Sequence, residues 1–140
     1  MALTVVLDTN ILFSATGWRG NPFQCVEQAR AGKIEAVTCV ELMEELAEKL
    51  ELKLGFSSEQ SAETLADYLS FLRVVSIPNT LKAIPRDPDD NAVLECALEG
   101  NAKFVVSGDN DLLELKNFRG IEIVRASEFL KILADRKIEI

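Results

Sequence analysis

The apolar positions of this chain fall into short runs of strand type that alternate with stretches of helical periodicity. The apolar runs predict strands over residues 3–7, 35–39, 74–77, 103–107 and 121–124. Between them, apolar side chains recur at every third or fourth position, which is typical of helices that bury one face. This periodicity and its flanking caps predict helices over 22–31, 40–54, from a cap at 57–59 to about Leu72, 91–99, 110–115 and 127–133.

Strands that alternate with helices are joined by right-handed crossovers and form a parallel sheet that is covered on both faces. The sequence therefore predicts an α/β fold, a three-layer α/β/α arrangement with a central parallel sheet of about five strands. We find no internal repeat, low-complexity segment or linker, and 140 residues are enough for one proper core. Residues 1–140 are accordingly predicted to form a single domain.

Carboxylates stand at the ends of two predicted strands and at the start of one predicted helix. Asp8 comes directly after the first strand, and Asp109 and Asp111 come shortly after the fourth. The segment 87–90, which reads Asp-Pro-Asp-Asp, begins the helix that precedes that fourth strand. Because the carboxyl ends of parallel strands open onto one edge of the sheet, we expect these acids to meet in space.

Each of these acids also has an ordinary explanation as a helix cap. Asp8 would cap a helix that begins near Ile11, and Asp109 or Asp111 would cap the short helix predicted over 110–115. Asp87 would cap its helix, with the two following acids of its segment complementing the helix dipole. From the residues alone, the capping explanation and the functional one both stay open.

The chain contains no histidine, so a site built here works with carboxylates, hydroxyls and whatever the carboxylates bind. Two carboxylates about 5 Å apart repel each other by roughly 3 kcal/mol at an effective dielectric constant of about 20. A cluster of four is therefore stable only if the acids are protonated or bind cations. Hard divalent ions prefer oxygen ligands, which indicates Mg²⁺ or Mn²⁺.

The helix over 40–54 carries further acids, and one of them is a candidate for the same site. Its apolar stripe is centred between Met43 and Leu46, and Glu44 and Glu45 flank that stripe on opposite sides. Helical periodicity does not choose between these two glutamates.

Composition and charge restrict the class of protein. Apolar residues make up 48% and charged residues 27%, values of an ordinary globular protein, and no apolar run is long enough for a signal peptide or a membrane span. Cys25, Cys39 and Cys96 are odd in number and widely spaced, so we expect buried thiols in a reducing, cytoplasmic compartment. The net charge of −8 argues against a nucleic-acid partner, unless bound divalent ions cancel part of it.

Four segments together resemble the PIN domain family. They are the opening Val-Leu-Asp-Thr-Asn, a helix with Glu-Glu-Leu, the Asp-x-x-Asp-Asn-x-Val-Leu-x-x-Ala motif and the closing Val-Ser-Gly-Asp-x-Asp-Leu-Leu. The resemblance covers nearly the whole chain, with Ser107 where many members have threonine and Leu112 where many have phenylalanine. It implies that the catalytic, metal-binding acids are Asp8, Glu45, Asp90 and Asp109, supported by Asn10, Ser107 and, as a further ligand, Asp111.

More narrowly, the chain is similar to the branch of toxin components of toxin–antitoxin pairs. The resemblance implies a Mg²⁺- or Mn²⁺-dependent endoribonuclease that cleaves single-stranded RNA, is neutralised by a cognate antitoxin and forms a homodimer. A PIN-like module that mainly binds a partner remains the principal alternative. A haloacid-dehalogenase-type phosphatase would need an aspartate at the position of Asn10, and a phosphoacceptor receiver domain would need one after the strand that ends at Ile77.

Two surface features are candidates for contacts with substrate and with a second copy. Trp18 and Arg19 follow Asp8 in a turn-rich region, where an aromatic ring can stack on a base and a guanidinium can hold a phosphate. A tryptophan packed on the body of the protein explains the same residue, and Arg86 and Lys116 are further basic candidates. For a dimer, whose two-fold form is the commonest, the apolar residues outside the predicted stripe are Leu52, Leu54 and Phe56.

Overall fold

The computed structural model describes residues 2–84 and 87–138, which form one six-stranded sheet flanked by helices. The strand order is β3-β2-β1-β4-β6-β5. The strands are β1 Leu3–Leu7, β2 Ile34–Thr38, β3 Leu72–Val74, β4 Phe104–Val106, β5 Asn117–Phe118 and β6 Ile121–Val124. The helices are α1 Thr9–Gly17, α2 Asn21–Arg30, α3 Val40–Leu54, α4 Ser58–Leu69, α5 Pro88–Glu99, α6 Asn110–Leu115 and α7 Ala126–Ile138.

The predicted three-layer α/β/α class with a largely parallel sheet is confirmed. β1, β2, β3, β4 and β6 pair in parallel, and the two-residue β5 pairs antiparallel with β6. β5 was not predicted, because two residues are too short to show an alternating pattern. The third strand was predicted too late in the chain: α4 ends at Leu69, and the buried Leu72 belongs to the strand rather than to the preceding helix.

Two apolar cores lie on opposite faces of the sheet. Because successive strand residues point to opposite faces, Val5 and Leu7 pack in the core that also contains Phe129, while Val6 packs in the other with Leu94. The central strand β1 is buried over Val5, Val6 and Leu7, as a parallel strand covered on both sides should be. This burial fixes β1 rigidly, and with it the residues that follow its carboxyl end.

The sheet has its switch point between β1 and β4. β1 pairs with β2 on one side and with β4 on the other, and Leu7 lies opposite Val106. The amide of Asp8 extends this ladder by donating to the Val106 carbonyl at 3.0 Å. Open α/β sheets bind ligands in the crevice at such a point. The residues that follow β1 and β4 both lie at this crevice.

Local sequence signals explain where the long helices end. α3 stops at Gly55, whose φ of +68° closes the helix in the left-handed conformation, and α4 begins with a capping box between Ser57 and Gln60. α5 ends at Gly100, where a Cβ atom would come within 2.7 Å of the Val37 side chain. Within the described part of the chain, no helix combines the length and the apolar character needed to cross a membrane.

Candidate metal centre

Three aspartates offer carboxylate oxygens within 4.8 Å of one another at the switch point: Asp87, Asp90 and Asp109. Asp87 caps α5, Asp90 lies in the first turn of that helix, and Asp109 caps α6 after β4. The fold therefore brings the acids of two distant segments together, as the parallel sheet predicts. We call this trio the acid cluster.

Asp90 is the most constrained member of the cluster. Its side chain is buried, and among residues 2–84 and 87–138 its Oδ2 atom has no hydrogen-bond partner. Burial and the neighbouring charges of Asp109, Asp87 and Asp8 raise the pKa of Asp90 to about 8. A buried acceptor without a partner is costly, and nearby negative charge adds to the cost. A divalent cation bound by oxygen ligands would remove both costs, so the residues present fit such an ion.

Asp8 is equally buried but is fully surrounded by donors. Its Oδ1 accepts from the Thr9 amide at 2.7 Å, and its Oδ2 accepts from Asn10 Nδ2 at 2.9 Å and from Ser107 Oγ at 2.6 Å. Burial raises the pKa of Asp8, although the hydrogen bonds from Ser107 and from the Thr9 amide act in the opposite direction. Asp8 is thus both the N-cap of α1 and a fixed charge beside the cluster.

Ser107 and Asn10 join the ends of β1 and β4. The Ser107 hydroxyl donates to Asp8 and accepts from the Asp109 amide at 3.0 Å. Asn10 donates to Asp8 with its Nδ2 and accepts from the Gly108 amide at 3.1 Å with its Oδ1. Both residues that the resemblance assigns a supporting role therefore hold Asp8 in register with the loop that carries Asp109.

Asp109 and Asp111 occupy the first turn of α6 in different ways. Asp109 Oδ1 accepts from the amides of Asp111 at 2.8 Å and Leu112 at 3.3 Å, which leaves its second oxygen for the cluster. Asp111 is half-buried and is not a member of the tight trio.

Glu45 lies outside the trio, beside a cation of the protein itself. Its side chain is 16% exposed and its Oε1 lies 3.0 Å from Lys49 Nζ, whereas Glu44 is exposed. Burial, together with the nearby Asp89 carboxylate, raises the pKa of Glu45 to about 7, against the lowering effect of Lys49. Burial lowers the pKa of Lys49, but the hydrogen bond to Glu45 and the charges of Glu45, Asp8 and Asp89 raise it above its ordinary value. Glu45 and Asp8 thus share one cationic neighbour.

Asp87 is the cluster member that sequence reasoning did not assign to the metal. Its Oδ1 accepts from the Asp89 amide at 2.9 Å, so the predicted capping role is present. The same side chain also belongs to the trio. The available signal was its spacing: residues three apart in the first turn of a helix lie on the same face, so Asp87 and Asp90 are neighbours.

Residues 4–111 match the PIN domain family. This chain belongs to the PIN domain family. An uncharacterized protein of Methanocaldococcus jannaschii is 29% identical to it over 119 residues, which span 82% of this chain and 76% of that protein.

Solved structures share the fold of this PIN domain. VapBC2 from Rickettsia felis, bound to a DNA fragment from its promoter, superposes with a TM-score of 0.62 at 17% identity over 86% of this chain and 97% of that one. PAE2754 from Pyrobaculum aerophilum gives 0.62 at 19% identity over 96% and 99%. The RRP44 PIN domain of T. brucei gives 0.57 at 15% identity over 99% and 85%.

Two buried side chains of α5 form hydrogen bonds with the segment that precedes this helix in the PIN domain. Glu95, which is buried, accepts from the amides of Asn79 at 2.8 Å and Leu81 at 2.7 Å. One turn earlier, Asn91 accepts from the Ile84 amide and donates to the Ile84 carbonyl, both at 2.7 Å. The helix that carries Asp90 therefore also fixes the position of residues 79–84, which precede it.

Trp18 and Arg19 are not among the residues that border the cavity at Asp109. Trp18 is 58% exposed, with its ring 6.1 Å from that of Phe13, and the Arg19 guanidinium lies 4.2 Å from the centre of the Phe23 ring. Arg19 borders a cavity between α1, α2 and α4, whereas a different cavity reaches Asp109. Arg86, the further basic candidate, lies outside the described residues.

Proposed function

We propose that this PIN domain is a divalent-metal-dependent endoribonuclease that cleaves single-stranded RNA. The observation that supports the proposal most directly is the unpartnered, buried Oδ2 of Asp90 within a group of three aspartates. Such an arrangement is costly without a cation, and membership of the family supports nuclease chemistry over a purely structural acid cluster.

Asp90, Asp109, Asp8 and Glu45 are the proposed catalytic, metal-binding acids, with Asp111 as a further ligand and Asp87 added from the geometry of the cluster. The proposed ion is Mg²⁺ or Mn²⁺, since the donors are oxygens and the chain has no histidine. When bound, such an ion supplies a Lewis acid that activates water and stabilises charge developing on a phosphate.

The chain's own residues position the acids for this chemistry. The hydroxyl of Ser107 and the amide of Asn10 fix the Asp8 carboxylate, so that its charge stays directed at the switch point. Capping of α6 fixes Asp109. Because Asp8, Asp90 and Asp109 are held at a strand end and at helix starts, little reorganisation of these acids is needed to bind a cation and a phosphodiester.

We further propose that the protein is the toxin of a toxin–antitoxin pair in the cytoplasm, with a cognate antitoxin protein as partner. The resemblance to the toxin branch supports this role, and the VapBC2 structure has the same fold. A homodimer is proposed through the face that includes Leu52, which is 76% exposed. Leu54 and Phe56, also assigned to that face, are half-buried against the core and contribute less to it.

The proposed nuclease is tested by incubating the purified protein with single-stranded and duplex RNA, with Mn²⁺ or with EDTA. We expect cleavage of the single strand in Mn²⁺ alone, and its loss in Glu45→Gln but not in the matched control Glu44→Gln, whose side chain is exposed. Absence of cleavage by the wild type under every metal condition would contradict the proposal. Partner binding without cleavage would favour the alternative, a PIN-like binding module.

A further inference from the structure

A cavity of about 480 Å³ extends from the acid cluster toward the start of α7. On one side it is bordered by Ser107, Gly108 and Asp109, and on the other by Arg125 and Ser127. The same open space therefore borders Asp109, a proposed metal ligand, and Arg125. This cavity differs from the one that Arg19 borders.

The sheet register places Arg125 at this cavity. β4 and β6 pair in parallel, with Val106 opposite Val124, and the Ser107 amide donates to the Val124 carbonyl at 3.0 Å. Arg125 directly follows Val124, as Ser107 directly follows Val106. Both residues therefore leave neighbouring strands at the same edge of the sheet.

Stability does not explain an arginine at this position. Its carbonyl accepts the first hydrogen bond of α7, from the Phe129 amide at 2.9 Å, which makes Arg125 the N-cap. N-caps favour Ser, Thr, Asp and Asn, and a cation at a helix N-terminus opposes the dipole. The Arg125 guanidinium makes no hydrogen bond or ion pair with residues 2–84 or 87–138, whereas Arg30 and Arg73 pair with acids.

We propose that Arg125 binds a backbone phosphate of single-stranded RNA, next to the phosphodiester held at the acid cluster. A guanidinium can hold two phosphate oxygens at once, and the exposed Ser127 at the same cavity adds a hydroxyl donor. This inference rests on the proposed nuclease function. It deepens that function by assigning a second phosphate contact to a residue of the β6–α7 junction.

The subsite holds one phosphate rather than several successive phosphates of the RNA strand. A second cavity also borders Arg125, and there Glu122 and Glu128 contribute negative charge beside Lys116. These carboxylates oppose a phosphate beyond Arg125. The proposed contacts with the strand are therefore limited to the acid cluster and Arg125, without a further phosphate site in the second cavity.

The test compares Arg125→Ala with Arg136→Ala, which removes the same charge from an exposed site farther along α7. Binding of a ten-nucleotide single-stranded RNA is measured with Ca²⁺ in place of Mn²⁺ over a range of salt concentrations, so that the oxygen ligands of the acid cluster still hold a divalent ion. For Arg125→Ala we expect affinity to fall about tenfold, because a charged hydrogen bond is lost. The slope of log affinity against log salt should fall by about 0.7, the value for one phosphate of a single strand. Arg125→Lys should keep the slope while losing part of the affinity.

Cleavage in Mn²⁺ provides the second readout. A dinucleotide has a single phosphodiester, so wild type and Arg125→Ala should cleave it equally, while Arg125→Ala should cleave the ten-nucleotide RNA more slowly at low concentration. Equal behaviour of Arg125→Ala and Arg136→Ala on the longer RNA would overturn the subsite while leaving the nuclease intact. A wild type that neither binds nor cleaves RNA would overturn the nuclease and the subsite together.

Discussion

Asp8 and Asp90 are two buried carboxylates at the same edge of one sheet, and the protein treats them differently. Both have raised pKa values, and burial is the largest cause for each. Asp8 accepts three hydrogen bonds from the protein, whereas Asp90 has an oxygen with no partner in the described part of the chain. Both oxygens of Asp8 already accept from the protein, whereas Asp90 has an oxygen whose acceptor positions are all left for a cation.

The difference follows from where each residue lies. Asp8 leaves a strand, where the facing strand end supplies Ser107 and the starting helix supplies an amide. Asp90 lies inside the first turn of α5, where Asp87 and Asp109 surround it with more negative charge. Both residues remain proposed metal ligands, but Asp8 also holds the two strand ends together through its hydrogen bonds, which Asp90 does not.

Exchanging each carboxylate for an amide should give the largest effects. Asp90→Asn should lower cleavage more than about 100-fold, which exceeds the usual loss when a residue that only hydrogen-bonds to a metal ligand is replaced. It should also remove the rise in melting temperature caused by Mn²⁺. Without metal at pH 8 it should melt higher than the wild type, since it removes a crowded buried charge. Asp8→Asn should also abolish cleavage and the Mn²⁺ shift while keeping the fold, but without that gain in melting temperature. Equal rises in the melting temperature of both metal-free variants would contradict the difference between Asp8 and Asp90.

Ser107→Ala tests the framework around Asp8 and should have a smaller effect. It removes a donor to Asp8 and an acceptor for the Asp109 amide, so metal affinity should fall about 10- to 100-fold. Calorimetric titration with Mn²⁺ measures this affinity. Ser127→Ala, which removes an exposed hydroxyl, is the control, and it should bind Mn²⁺ as the wild type does.

Stability of the metal-free protein should depend on pH through the crowded acids. Asp90 and Glu45 have folded pKa values of about 8 and about 7, raised above their ordinary values. Their protonated forms therefore stabilise the fold at low pH, and this contribution is lost as pH rises through 7 and 8. Urea unfolding in EDTA should give a free energy of unfolding that falls from pH 5 to pH 8, less steeply in Asp90→Asn. A flat wild-type curve would contradict the raised pKa values.

The smallest expected effect concerns assembly of the proposed dimer. If the protein is the proposed homodimer, Leu52→Lys should give a monomer mass in light scattering, with folding and metal binding unchanged, since Leu52 is exposed. Phe56→Lys is a poor companion, because Phe56 packs against the core. A dimer that survives Leu52→Lys uses another surface, and a wild-type monomer removes the dimer.

Much of the site was predictable because strand ends are local signals. Asp8 and Asp109 follow apolar runs, and the parallel sheet alone predicts that they approach each other. Local pattern does not reveal Asp87 as a cluster member, because helix capping alone accounts for it, although a capping residue retains a second oxygen. The choice between Glu44 and Glu45 came from the family resemblance, since periodicity gave both similar angles.

Arg125 was not predictable from local pattern. Its position beside the acids follows from the register between β4 and β6, which joins residues distant in the sequence. Nothing near Arg125 in the chain shows that it lies beside the acids, since its neighbours at the cavity come from the end of β4. Non-local pairing, rather than composition, creates the cavity that it shares with Asp109.

The central claim is that the open oxygen of Asp90 is a ligand for a divalent cation. Anomalous diffraction from a crystal soaked in Mn²⁺, recorded near the manganese absorption edge, tests it most directly. We expect an anomalous peak in contact with Asp90 and Asp109, with Asp8 still held by Ser107 and Asn10. A crystal whose manganese peaks all lie elsewhere, with Asp90 Oδ2 still unpartnered, would contradict it.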